Sequence, residues 1–349
     1  MRACAIICEY NPFHTGHAYQ IAETKKLIDA DIYIGIMCNH FVQRGDIACA
    51  NALERAKEAL SNGLDAVVEL PYPYSVQAAD KYAEGAIKIA KLLNVDYLSF
   101  GSECGDIELL VKASKRKTPK ATSKSLASQN TSTNSNDILA ISYLKQLAGS
   151  SITPITIKRT SGYHDTNLNE FASASALRQA QHNKIDISSY TNLSEYMNNP
   201  CLEDYYPYLR ILLLTLPLSY LKSILLVDEG IENLLYKAAS TYDNYEDFLN
   251  HVVTKKYTKS RIMRTLTHIL LQTTKEDAVA LENESFIRIL ATNKKGLAYL
   301  KQIPQEIRIS KFNKLPLNYR NYLMKAEALI HNRNEQDLNI ELQFPYIKK

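Results

Sequence analysis

Residues Arg2–Gln20 read RACAIICEYNPFHTGHAYQ. Arg2 to Cys8 is short, apolar and rich in β-formers, which predicts a buried strand. Asn11, Pro12 and Gly16 break that pattern. From Thr15 the apolar residues recur at three and four (Ala18, Ile21, Ala22, Leu27, Ile28), which predicts a helix with Thr15 as its N-cap. His14 and His17 therefore fall where a strand hands over to a helix N-terminus. Free backbone N–H groups and the helix dipole favour an anion at such a place. Two imidazoles three residues apart can face one side and add donors. The expectation is a phosphate cradle built without a glycine-rich loop. The same spacing would also suit a chance surface pair, or a metal pair lacking its third ligand.

Working outward, strand-like and helical runs alternate. Arg2–Cys8, Asp31–Met37, Asp65–Leu70, Val95–Phe100 and Ile152–Lys158 read as strands. Thr15–Ile28, Asn51–Asn62, Ser75–Leu93 and Asn136–Ala148 read as helices, with Gly63 and Gly149 at C′ positions. Strands joined by crossover helices imply an α/β fold, a Rossmann-like parallel sheet with helices on both faces. Ligands gather outside the C-terminal strand ends of such sheets. Four segments should therefore converge on one crevice: the His14–His17 turn, Cys38–Asp46, Pro71–Ser75 and Gly101–Gly105. In Cys38–Asp46, CNHFVQRGD, Gln43 and Arg44 offer donors to an occupant, or the loop is merely solvated. Glu69 closes the third strand, either functional or exposed. Gly101 would let a flat base or ribose approach the backbone. Ser173 or Ser175 can cap a helix opening at FASASALR, and Arg178, one turn in, can fork onto triphosphate oxygens.

From about Gln181 the pattern becomes successive amphipathic helices: Asp204–Leu214, Ile231–Ala239, Tyr245–Val252, Lys259–Gln272, Phe286–Ala291 and Tyr319–His331. The expected division is a catalytic unit over 1–185 and a mainly α-helical unit over 186–349. Two basic segments stand out, Lys112–Asn136 (with Lys117 and Lys120) and the cluster Lys255, Lys256, Lys259, Arg261 and Arg264. Each is either a solvated face or an RNA-backbone contact.

The 349-residue chain has 46% hydrophobic residues and a net charge of +4, which permits a nucleic-acid partner without demanding one. No apolar run approaches the ~20 residues of a membrane span, and the N-terminus lacks a signal-peptide layout. A cytoplasmic protein without a membrane partner is expected. The six cysteines form no CxxC pair, so buried thiols are expected rather than a disulfide framework or a zinc site, and no protein-held metal is assigned.

His14-Thr15-Gly16-His17 after an N-terminal strand is similar to the HxGH signature of nucleotidyltransferases. With EYNPFHTGH (Glu9–His17), FVQRG (Phe41–Gly45), VVELP (Val67–Pro71), FGSE (Phe100–Glu103), NDILA (Asn136–Ala140), GYHD (Gly162–Asp165) and FASASALR (Phe171–Arg178), in order over the first half, the chain resembles the bacterial tRNA(Met) cytidine acetate ligases. It departs from that pattern at Cys38-Asn39-His40, where smaller residues are expected. The resemblance implies attack of acetate on the α-phosphorus of ATP, then transfer of acetyl to N4 of the wobble cytidine of elongator tRNA(Met). It implies catalytic roles for His14 and His17. It implies an ATP site at Ile7, Cys8, Glu9, Tyr10, Asn11, Pro12, Phe13, His14, Thr15, Gly16, His17 and Gln20, with Gly101, Asn136, Ser175 and Arg178. Gln43, Arg44, Lys158 and Arg159 are candidate substrate positions, and Mg²⁺ would ride on the phosphates. The rival readings are an HxGH adenylyltransferase with a small-molecule acceptor, and a non-catalytic RNA-binding protein regulated by nucleotide.

Overall fold

The computed structural model describes residues 1–116, 134–159, 172–331 and 345–348. Lys117, Lys120, most of the Lys112–Asn136 segment, the GYHD loop and Phe171 lie outside the described residues. Five parallel strands, β1 (Ala3–Cys8), β2 (Ile32–Cys38), β3 (Ala66–Leu70), β4 (Tyr97–Ser102) and β5 (Thr153–Lys158), lie in the order β5-β4-β1-β2-β3. The order reverses between β1 and β4, so the topological switch point falls at the end of β1, beside His14.

Strands β1 to β3 are buried on both faces, which is why they read as continuous apolar runs rather than alternating ones. Ala3, Ala5 and Ile7 face a core built with α3 (Ala79–Leu92), α4 (Ile107–Ser114) and α5 (Ser135–Gln146). Cys4, Ile6 and Cys8 face the other side, under α1 (Thr15–Leu27) and α2 (Ala52–Ser61). The expected single helix Ser75–Leu93 is in fact a 3-10 turn, Tyr74–Val76, followed by α3. Gly63 occupies the C′ position of α2 with φ +104, whereas Gly149 (φ +76) sits one residue beyond C′ of α5.

After β5 come α6 (Ala174–His182), α7 (Tyr206–Thr215), α8 (Leu218–Ser223), α9 (Ile231–Thr241), α10 (Tyr245–Val252), α11 (Lys259–Leu270) and α12 (Lys275–Asn283). Helices α7 to α11 enclose a second core around Leu209, Leu235, Phe248 and Leu266. The expected helix at Phe286–Ala291 is corrected: Ile287–Asn293 is a strand, β6, antiparallel to β3 with Val67 opposite Ala291. A run of six residues cannot be told from a buried helix by period alone, and its burial comes from both sheet faces. β7 (Arg308–Ile309) and β8 (Tyr346–Lys348) pair with β6, making eight strands among the described residues. The chain thus returns to the first sheet beyond residue 185, and α13 (Lys294–Leu300) packs beneath it through Leu300.

Glu69 is neither exposed nor in the crevice. It is buried between Arg288 (2.7 Å) and the Tyr319 hydroxyl (2.7 Å), tying β3 to β6 and to α14 (Leu317–His331). Paired on both sides, the buried carboxylate avoids the desolvation cost of an isolated charge.

Candidate functional site

The handover from β1 to α1 is shaped by Tyr10, which turns the chain with φ +50, an uncommon backbone state for a bulky residue and one met at functional sites. Asn11 Oδ1 accepts from Cys49 N (2.7 Å), and Thr191 Oγ1 donates to Phe13 O (2.6 Å), so the turn is anchored from two directions. Beneath it lies Arg55, fully buried and missed by the sequence reading. Its guanidinium donates to the carbonyls of Glu9 (2.7 Å), Cys38 (3.1 Å), Ala50 (3.0 Å) and Asn39, holding the ends of β1 and β2 together. Inside an otherwise helical pattern it gave no signal apart from its charge.

The N-cap of α1 is His14 itself, not Thr15, which is exposed in the first turn. His14 Nδ1 accepts from Gly16 N (3.0 Å), and His17 Nδ1 accepts from His14 N (3.3 Å), a capping box made of imidazoles. The rings lie 3.9 Å apart at 35°, with Phe13 and Tyr10 packed on His17 at 5.6 and 4.9 Å. Because each Nδ1 is an acceptor, a neutral ring carries its proton on Nε2 and presents it as a donor. Burial, then the charges of Arg159 and Arg178, push His14 down to about 3. His17 keeps a partial opening to the crevice, yet desolvation and then His14 hold it well below the usual histidine range. Both rings are therefore neutral at pH 7.

They line a cavity of about 590 Å³. Ile7, Cys8, Glu9, Tyr10, Asn11 and Gln20 share that wall. Phe13 and Pro12 are buried behind it, and Gly16 opens on a small side pouch with Lys158. Gly101, Asn136, Arg159, Ser175 and Arg178 line it too, as do Gln43 and Arg44. Three of the four expected loops converge here. Pro71–Ser75 does not, because Tyr72 and Tyr74 are buried in the core contacts instead.

Among the described residues, five helix N-termini line the cavity, that of α3 with Ala79. α1 brings His14. α5 brings Ser135 and Asn136, and Asn136 Nδ2 is fixed by Glu103 Oε1 (2.6 Å). α6 is capped by Ser173, whose Oγ accepts from Ala176 N (3.1 Å), so of the two candidate serines Ser173 caps while Ser175 lines the wall. α11 brings Lys259 and Ser260. Converging positive dipole ends favour a polyanion. Arg178 bonds Asn11 O (2.5 Å) and Ser175 Oγ (3.4 Å) and adds its charge. A Cβ at Gly101 would meet Arg159 Cγ at 3.5 Å, ordinary contact, so no protein neighbour excludes a side chain there and the open side faces the cavity.

The basic cluster divides. Lys255, Lys256 and Lys259 are exposed, and Arg261 pairs with Glu229 (3.2 Å). Arg264 instead is buried in the crevice wall, against the expectation that it belongs to an outward basic face. Its helix packs backbone to backbone on Gly45, where a Cβ would stand 2.3 Å from Arg264 N, and Thr267 Oγ1 donates to Gly45 O (2.5 Å).

Residues 1–126 and 113–344 match the family model described as HIGH Nucleotidyl Transferase. The tRNA(Met) cytidine acetate ligase of Caldicellulosiruptor bescii is 34% identical over 98% of this chain and 96% of its own length. That of Anoxybacillus flavithermus is 36% identical over 88% of each. The fold matches the apo crystal structure of Thermotoga maritima TmcAL (form I), with a TM-score of 0.84 at 24% identity over 99% of each chain. It matches the same protein bound with alpha-thio ATP equally well, with a TM-score of 0.84 at 22% identity. On the matched motifs and near-complete coverage, the chain belongs to the tRNA(Met) cytidine acetate ligase family of HIGH nucleotidyltransferases.

Proposed function

We propose that the chain uses ATP to join acetate to the N4 amine of the wobble cytidine of elongator tRNA(Met). The observation that carries the reading is the pair of neutral imidazoles at the switch point of the sheet, set among the helix N-termini that line the cavity. In the first step an acetate oxygen bonds to the α-phosphorus. The bond from that phosphorus to the bridging oxygen breaks, and pyrophosphate leaves with the electron pair. In the second step the N4 lone pair bonds to the acetyl carbon, the carbon–oxygen bond breaks, AMP leaves, and the amine proton passes to solvent. Displacement at phosphorus needs positioning and charge stabilisation more than a protein nucleophile. Cys4, Cys8 and Cys38 suit this, since burial raises their thiols far above the reactive range.

In this reading the Nε2–H groups of His14 and His17 donate to the charge that develops on the α- and β-phosphates. Arg178 and the α6 N-terminus at Ser175 hold the outer phosphates. Gly101 admits the adenosine, and Asn136 hydrogen-bonds it. Mg²⁺ would reach the site on the triphosphate and supply charge neutralisation. Of the crevice carboxylates, Glu9 accepts from Gln43 N (2.8 Å) and Asp46 from Ile47 N (2.9 Å). Lys255, Lys256 and Lys259 contact tRNA phosphates.

The test is incubation with ATP, labelled acetate and a tRNA pool, followed by nucleoside analysis. The reading requires label in acetylated cytidine, with AMP and pyrophosphate as co-products. Label that never reaches RNA, with pyrophosphate exchange following some other acceptor, would overturn it.

A further inference from the structure

The crevice has a second cationic wall that the triphosphate contacts do not use. Arg264 is 9% exposed and lines the cavity. A guanidinium offers five N–H donors, but Arg264 makes one long bond, from Nη1 to Gln43 O at 3.4 Å. Its Nε is buried with no acceptor, and among the described residues no carboxylate lies within 4.0 Å of it. Arg44, on the loop that α11 packs against, lines the same wall with Nη2 on Ser135 Oγ (3.1 Å). Two guanidiniums and the N-terminus of α11 are thus turned toward one space. Asp80 acts on Arg264 only from beyond ion-pair distance; a buried charge without a close counterion is costly, and the cost falls when an anion arrives. Burial, then the charge of Arg44, already lowers Arg264 to about 10. Val42, Ala79, Tyr82 and Met263 line the same cavity and supply its apolar surface, next to the polar Glu9, Gln43 and Asp46.

We propose that Arg264, with Arg44, is the binding site for the carboxylate of the acyl substrate, a short-chain carboxylate whose alkyl end rests on Val42, Tyr82 and Met263. This rests on the ligase reading above. The guanidinium grips one carboxylate oxygen through charge-assisted bonds. The other oxygen is left free to form the bond to the α-phosphorus across the crevice. A nucleic-acid phosphate fits less well. It would have to bring its sugar-phosphate chain into a wall where the side chain is nine-tenths covered, whereas the exposed lysines outside meet a backbone without that cost.

The experiment is steady-state turnover of the full chain, Arg264→Gln and Arg44→Gln, with acetate, ATP and tRNA varied in turn. The expected result is a KM for acetate raised about 30-fold or more in Arg264→Gln, the scale for removing one member of a buried charged contact. KM for ATP and tRNA should stay within about threefold, and Arg264→Lys should recover part of the loss. A rise confined to KM for tRNA would make the site a phosphate contact. A rise confined to KM for ATP would assign it to the triphosphate. Either result, or no change, overturns the proposal. Wild-type turnover that ignores acetate would instead overturn the ligase reading. Methyl line broadening of carbon-13 acetate by the wild type and both variants, in the presence of an ATP analogue, reads the site directly in that event. It also does so if one variant fails to fold.

Discussion

His14 does three jobs with one ring. It caps α1 through Nδ1, packs its ring on His17, and lines the cavity. A donor fixed in place before the substrate arrives has no reorganisation cost in the transition state. His14→Ala should therefore lower kcat/KM at least ~10²-fold in the acetylation assay. The pH dependence of stability follows from the same burial. The unfolded ring titrates near 6.5 and the folded one near 3. Between those values the unfolded chain binds more protons, so stability rises with pH and is lost as pH falls from 6.5 toward 3. Each histidine held neutral contributes a slope of about 1.4 kcal/mol per pH unit in that window. His14→Gln should flatten the wild-type slope by about that amount, measured by urea melts through the window. An unchanged slope would mean the ring is protonated in the folded chain.

At the scale of elements, the contact of α11 on Gly45 decides the shape of the crevice. Gly45 has φ +84, and an added Cβ would collide with the backbone of Met263 and Arg264. The helix cannot retreat alone, because Thr267 bonds Gly45 O and Arg264 bonds Gln43 O. Gly45→Ala should cost at least ~2 kcal/mol in unfolding free energy and raise KM for substrate as well. An ordinary melt with altered kinetics would limit the effect to the loop. How far such elements can be read from sequence depends on whether the signal is local. The strand-turn-helix of Arg2–Gln20 and the five parallel strands were legible because composition and period change within a few residues. The convergence of the His14, Gln43 and Gly101 loops followed from that topology, whereas the strand order and its reversal beside β1 were not read from the sequence. Ile287–Asn293 was not legible as a strand. Its partner β3 lies over two hundred residues earlier, and its apolar run suits either structure. Glu69 was hidden because Arg288 and Tyr319 are remote in sequence, and Arg55 because its partners are backbone carbonyls, which leave no trace in residue type.

For the whole molecule, charge is divided between inside and outside. Arg159, Arg178, Arg44 and Arg264 line the cavity, Lys259 at the start of α11 is exposed at its edge, and Lys255 and Lys256 stand on the surface just before that helix. The proposed tRNA contact of these lysines makes a prediction. Changing all three to Ala should weaken tRNA binding and reduce the salt slope of log K by about 2, at roughly 0.7 per phosphate contact. A slope equal to that of the wild type, from filter binding at several salt concentrations, would remove these lysines from the interface.

The antiparallel seam between Val67 and Ala291 has a consequence for how the protein is made. The early strands leave the ribosome long before Ile287–Asn293 is translated. At about 5–20 residues per second the wait is on the order of 10 to 45 seconds. Throughout it β3 offers a bare edge of unpaired amides, and Glu69 has neither Arg288 nor Tyr319 beside it. Nascent chains caught in that interval should be the form that chaperones hold and proteases cut.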